Sequence, residues 1–217
     1  MKIFIYLKNL FIYLFYPDEQ LPFWNHNSNY YRWIKDQLKD KINILDVGCG
    51  DGSLINYLNN PNRNLTGIDI AQKCINKANS YNKKNDNINF ICTSFEDFDT
   101  KNILYDGIIF CASIHHMNME KALIKSKNLL TKNGVIIIVG LSKPSSLFDW
   151  IIGCLRVIPC FILSKIHKMK SSEDLGIPTS YNIPKMFEIK QVLNKITPGF
   201  FLSYGLYYRY LVKWINK

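Results

Sequence analysis

Residues Ile44-Leu45-Asp46-Val47-Gly48-Cys49-Gly50-Asp51-Gly52 join an apolar run carrying an acid to three glycines at alternate positions. Few folds accommodate such a string. The run reads as a buried strand. The glycines at Gly48 and Gly50 let the backbone turn sharply and approach a bound molecule with no Cβ in the way, and the helix that follows offers unpaired N–H groups. A dinucleotide loop of the GxGxxG kind wants its third glycine at position 53, which is Ser53 here, so the spacing does not suit a nicotinamide cofactor.

The chain around this string alternates in a way that argues for a parallel sheet covered by helices. Short apolar runs rich in Ile and Val fall at Ile42–Val47, Leu65–Ile70, Ile88–Cys92, Gly107–Cys111 and Val135–Val139, as expected of strands buried on both faces. Between them the pattern predicts helices over Ser53–Leu58, Ala71–Tyr81 and Met119–Leu130. Asn133-Gly134 is a turn signal, with Gly134 expected in the left-handed conformation. The core thus spans residues 41–140, and residues 141–183 form an apolar lid insertion in which Pro159 separates two short helices. Alternation resumes over 184–217, with a helix at Pro184–Lys195 and two runs, Phe200–Leu206 and Tyr208–Ile215, that read as an antiparallel hairpin at the sheet edge. Residues 1–40 form a helical cap. Its apolar stretch Ile3–Tyr16 is broken by Lys8 and Asn9 and stops at Pro17, short of the roughly 20 residues that a spanning helix needs. It can pack on the domain or lie in a membrane interface.

A second acid completes a pattern. Asp69 ends the next strand about 20 residues after Asp46, where a carboxylate can accept both hydroxyls of a ribose or cap the helix that starts near Ala71. With these residues in view, the glycine string resembles motif I of the class I methyltransferases that use S-adenosylmethionine (SAM): an acid, any residue, then Gly-x-Gly-x-Gly, with every position matched. The resemblance implies a Rossmann-like α/β fold, with a mostly parallel seven-stranded sheet, a C-terminal antiparallel hairpin and helices on both faces. It also implies that Gly48 and Gly50 line the methionine end of SAM, that Asp46 supports the loop and the cofactor's amino group, that Asp69 binds the ribose and that Ile70 packs on the adenine. Where the family carries an acid toward the adenine amino group this chain has Ser94, followed by Phe95 in the position that flanks the ring. A hydroxyl there accepts a hydrogen bond without charge assistance, and Glu96 and Asp97 stand close by in sequence. Tyr105-Asp106 with His115-His116 resembles the motif IV region. There His116 is expected to act as general base toward an acceptor hydroxyl or nitrogen, the other reading being that one histidine caps the following helix. Leu129 to Gly134 resembles the family's LLKPGG turn.

Composition narrows the acceptor. Lys and Arg number 27 against 17 Asp and Glu, a formal charge of +10, but the lysines are scattered among asparagines rather than gathered in a stripe. Residues Cys111-Ala112-Ser113-Ile114 stand where base-modifying relatives carry an NPPY-like tetrapeptide, so nucleic acid is not the expected partner. The six cysteines show no CxxC pair and His115 and His116 are adjacent rather than one helical turn apart, so no metal site is expected and a reducing, cytoplasmic setting is. The methyl group of SAM is already activated, so the protein needs mainly to hold a nucleophile in line. Trp24, Phe148, Trp150 and Phe161 in the two covers point to a small hydrophobic, lipid-like acceptor and to a peripheral membrane contact. The alternatives are a non-catalytic binding module on a SAM fold and, further off, a nucleic-acid methyltransferase.

Overall fold

Seven strands form a single sheet: β1 (Asn43–Val47), β2 (Asn64–Asp69), β3 (Ile88–Cys92), β4 (Tyr105–Cys111), β5 (Leu130–Leu141), β6 (Phe201–Tyr204) and β7 (Arg209–Ile215). The computed structural model describes residues 25–82, 85–145, 147, 150, 151, 154, 183–206 and 208–217. The expected helix at Ile3–Tyr16, together with Trp24, Phe148, Pro159 and Phe161, lies outside them. Strand order is β3-β2-β1-β4-β5-β7-β6. The first five strands pair in parallel, while β7 runs antiparallel between β5 and β6, so the predicted C-terminal hairpin closes one edge.

Helices α1 (Tyr31–Gln37), α2 (Ser53–Leu58) and α3 (Gln72–Tyr81) cover one face of the sheet, and α4 (Met119–Leu129) with α5 (Met186–Ile196) covers the other. Ile34, Leu38, Leu54 and Ile55 meet Ile109 and Ile137 on the first face, and Leu123, Ile189 and Leu193 meet Phe110, Ile136 and Ile138 on the second. This two-sided burial is why β4 and β5 read as unbroken apolar runs rather than alternating ones. Buried Arg63 ties the first layer together by donating to the carbonyls of Leu58 (3.0 Å) and Leu38 (2.7 Å), which belong to the last turns of α2 and α1. Among the described residues no helix is long and apolar enough to cross a membrane.

One turn differs from expectation. Asn133, at φ +63°, takes the left-handed position, and Gly134 does not. A Cβ on Gly134 would stand 2.9 Å from both Leu130 Cδ2 and the Thr131 carbonyl oxygen, so the glycine is needed for close packing and asparagine tolerates the turn. Nearby, Asp106 accepts the N–H groups of Ile42 (3.3 Å) and Asn43 (3.0 Å) and the Thr131 hydroxyl (2.9 Å). It therefore joins three strands at their amino-end side. Strand order reverses between β1 and β4, and the crevice lies at the opposite, carboxyl end.

Candidate active site

The loop after β1 is held open by its own hydrogen bonds. The N–H groups of Gly48 and Cys49 donate to the Ile68 carbonyl (2.8 and 3.0 Å), which anchors the turn to β2. Gly48 (φ +75°) has no room for a side chain, since a Cβ would meet Ser113 Cβ at 2.5 Å, whereas a Cβ on Gly50 (φ +53°) would meet nothing within 4 Å. Asp69 spans the loop. One carboxylate oxygen accepts the Gly50 N–H at 2.9 Å and the other accepts the Ala71 N–H at 2.8 Å. The helix Gln72–Tyr81 has Ala71 as its N-cap and no side-chain cap, so Asp69 braces the turn ahead of the helix without capping it, and its carboxylate is placed against the glycine loop. Beside it, Ile70 is 77% exposed, an apolar side chain left standing at the carboxyl end of β2.

Asp46 is buried beneath this loop, 1% exposed, with its Oδ1 lacking any hydrogen-bond partner. Burial, and then the charge of Asp69, pushes its carboxyl up to about 7. An orphaned carboxylate oxygen under an open glycine turn fits a ligand that carries a cation. The ammonium at the methionine end of SAM is such a group.

The third strand end departs from expectation in one respect. Phe95 does not face the crevice: its ring is buried in the core, edge-on to Phe110 with centroids 5.6 Å apart, because the chain turns inward after β3 to cover α4's side of the sheet. Ser94 stays near the surface. Its hydroxyl donates to the Asp97 carboxylate at 2.6 Å and accepts the Asp97 N–H at 3.0 Å, which brings a carboxylate to the position where the expected acid is missing.

On the other side of the crevice, Ala112 adopts φ +58° and donates its N–H to the Val139 carbonyl (2.7 Å). This left-handed residue turns the chain across the glycine loop, where Ser113 donates its hydroxyl to the Val47 carbonyl, and into the 3-10 turn Ile114–His116. Ile114 anchors that turn in the core, His116 is exposed, and His115 is half-buried with its ring 4.1 Å from that of His116. Burial, then His116 and Arg209, lowers His115 to about 4, so it is neutral at physiological pH. His115 was legible with His116 in the motif IV resemblance, whereas Ala112 and Arg209 carry no distinctive local sequence signal. A non-glycine residue in this conformation costs about 1 kcal/mol; Ala112→Gly is accordingly expected to raise stability by roughly that amount in urea denaturation, and a loss instead would mean that the alanine methyl packs usefully.

Comparisons with known proteins agree with this geometry. Residues 44–134 match the methyltransferase domain family. The chain is 31% identical over 215 residues to a ubiquinone biosynthesis O-methyltransferase of Rickettsia typhi, which spans 88% of this chain and 85% of that protein. A protein of the same name from Rickettsia conorii is 35% identical over 100 residues, 45% of this chain and 34% of that one. The plantazolicin methyltransferase BpumL, solved with S-adenosylhomocysteine (SAH), shares the fold with a TM-score of 0.59 at 19% identity, covering 100% of both chains. The matched domain, a relative that extends over most of the chain, and a glycine loop with two acids set about it lead to one conclusion: this chain belongs to the class I methyltransferases and is a SAM-dependent methyltransferase.

Proposed function

We propose that the protein transfers the methyl group of SAM to a hydroxyl oxygen of a small, apolar aromatic acceptor. The observation that carries this reading is the likeness over 88% of the chain to an O-methyltransferase of ubiquinone biosynthesis. The cover after β5 supports it. Leu147, Trp150 and Ile151 are exposed apolar residues beyond the carboxyl end of that strand, and Trp150 is 62% exposed. Pro144, Ser145, Leu147, Trp150 and Lys185 line an open groove of about 420 Å³. Apolar side chains flanked by Lys143 and Lys185 suit a lipid-like acceptor and a peripheral contact with a membrane that holds it. Five described cysteines are free thiols, which suits a cytoplasmic setting.

In this reading Asp46 takes the ammonium of SAM, Gly48 and Gly50 give its methionine end room, Asp69 accepts the ribose hydroxyls and Ile70 packs on the adenine. The Ser94–Asp97 pair receives the adenine amino group, with Asp97 supplying the charge that the Ser94 hydroxyl lacks. When bound, SAM supplies a methyl group on a sulfonium centre. The protein's own share is to hold the acceptor oxygen in line and to remove its proton, for which His116, exposed at the lip of the site, is the base. The test is transfer of labelled methyl from SAM to a series of catechols with lengthening alkyl chains. Each further CH₂ that becomes buried is expected to raise kcat/KM by about fourfold, the worth of ~0.8 kcal/mol; a preference for hydrophilic acceptors or for amines would refute the reading.

A further inference from the structure

The sheet face that carries Asp46 holds a second charged side chain that methyl transfer does not itself require. Arg209 opens β7 opposite Leu141, and the registers Asp46↔Ile109, Ile109↔Ile137, Cys111↔Val139 and Val139↔Leu211 put Asp46, Cys111, Leu211 and Arg209 on one face. Neighbouring strands lie about 4.8 Å apart and each residue advances about 3.3 Å, so Arg209, three strands over and four residues beyond Lys213, which is level with Asp46, stands on the order of 20 Å from Asp46 at the carboxyl end of the sheet. That separation leaves room for an acceptor beyond the methionine end of the cofactor.

Arg209 is nine-tenths buried and donates to the Asn27 side-chain oxygen from Nε (3.2 Å) and Nη2 (2.7 Å). Its charge is felt on three other elements. Burial is the larger cause in both, but its charge helps hold His26 down to about 4 and, after that of His116, also helps hold His115 down to about 4. It also draws the Cys111 thiol down, against the upward push of burial and of Asp46, which sets Cys111 between the two charges. His115 is thus a neutral imidazole, and its Nδ1 is buried with no hydrogen-bond partner. A buried guanidinium at the carboxyl end of the sheet and, within reach of its charge, an unused ring nitrogen are the parts of an oxyanion site, the first supplying charge and the second a directed hydrogen bond.

We propose that Arg209 and His115 bind an anionic oxygen of the acceptor, a phenolate or a carboxylate on an aromatic body, and so select negatively charged acceptors. The proposal rests on the methyl-transfer reading for where the acceptor lies. A phenolate held there is already the nucleophile, whereas a carboxylate held there orients a hydroxyl elsewhere on the ring.

The test uses the full chain saturated with SAH and the probes 4-nitrophenol and benzoate, with 4-nitroanisole and benzamide as neutral counterparts. Below the phenol's own pKa, adding protein is expected to raise the phenolate absorbance saturably, and benzoate is expected to displace it where benzamide does not. Displacement by benzoate without a phenolate signal of its own would assign the site to carboxylates. Arg209→Gln is expected to weaken binding by at least about tenfold, Arg209→Lys to recover part of it, and His115→Gln to lose about fivefold. Should Arg209→Gln fail to fold by circular dichroism, the Lys and His115 variants decide. Absence of binding by both anions, equal binding of the neutral probes, or variants that bind like the wild type would overturn the proposal. Methyl transfer to a neutral acceptor in the same protein would leave the methyl-transfer reading intact while this one fell.

Discussion

Gly50→Ala is expected to fold and yet to lose the cofactor, whereas Gly48→Ala is expected to damage the fold itself. Both residues have positive φ, +53° and +75°, so each substitution carries a backbone cost of about 1–2 kcal/mol. They differ in what the new methyl group meets. At Gly50 it meets nothing of the protein within 4 Å and projects into the space above the loop, beside Asp46 and Asp69. At Gly48 it lands 2.5 Å from Ser113 Cβ, and Ser113 cannot yield because its hydroxyl is bonded to the Val47 carbonyl and its backbone follows the left-handed Ala112. A contact that close adds about 1–3 kcal/mol of overpacking, so Gly48→Ala should lose about 3–4 kcal/mol, a large part of a domain's typical 5–15. Gly50→Ala should lose only the backbone cost, while its affinity for SAH falls by about a hundredfold, as a 3 kcal/mol clash with a bound ligand would produce. Urea denaturation and calorimetric titration of the two variants separate the effects. A Gly50→Ala protein that binds SAH normally would place the cofactor elsewhere and remove the argument for Asp46 and Asp69 as its ligands.

The sequence was most legible where burial is simplest. Ile88–Cys92 and Ser53–Leu58 carry the bounds that the apolar pattern predicts: the first is an edge strand pinned by its parallel register with β2 and its one buried residue, Phe90, and the second is a helix whose start is set by the glycine loop. Asp46, Gly48, Gly50 and Asp69 were legible together because their spacing reflects one turn against one neighbouring strand, a local matter. What was not legible depends on distant partners. Whether Asn133 or Gly134 turns left-handed is decided by Leu130 and Thr131 packing against the glycine, and either residue type tolerates the turn. Phe95 follows a strand end, where the inward or outward choice is set by Phe110, on another strand. Arg209 reaches Asn27 across 182 residues, through the antiparallel pairing of β7 with β5, and no spacing in the chain announces that meeting.

Cofactor binding should be linked to a proton on Asp46. With a folded-state value of about 7 against an ordinary 3.8, the carboxyl stays protonated in the empty protein over a range where the unfolded chain has already lost its proton. The sign follows directly. The unfolded state binds fewer protons between about pH 4 and pH 7, so the empty protein is most stable below that window and loses stability as pH rises through it, by on the order of 4 kcal/mol in all. An ammonium brought to Oδ1 reverses the preference, because a buried carboxylate beside a cation no longer suffers the full cost of burial. Binding at pH 5.5 should therefore release close to one proton and weaken about tenfold for each further unit of acidity, while binding at pH 8.5 should release almost none from this group. Titrations of SAM in buffers of different ionisation enthalpy measure the proton count. Asp46→Asn supplies the comparison, since the amide removes the titration, flattens the loss of stability between pH 4 and 7, and lowers affinity by at least about a hundredfold by leaving the ammonium without its counter-charge. The difference between the two proteins also isolates Asp46 from titration of the ligand's own amino group. Equal pH slopes in wild type and Asp46→Asn would mean that Asp46 is already ionised in the empty fold and that another group receives the ammonium.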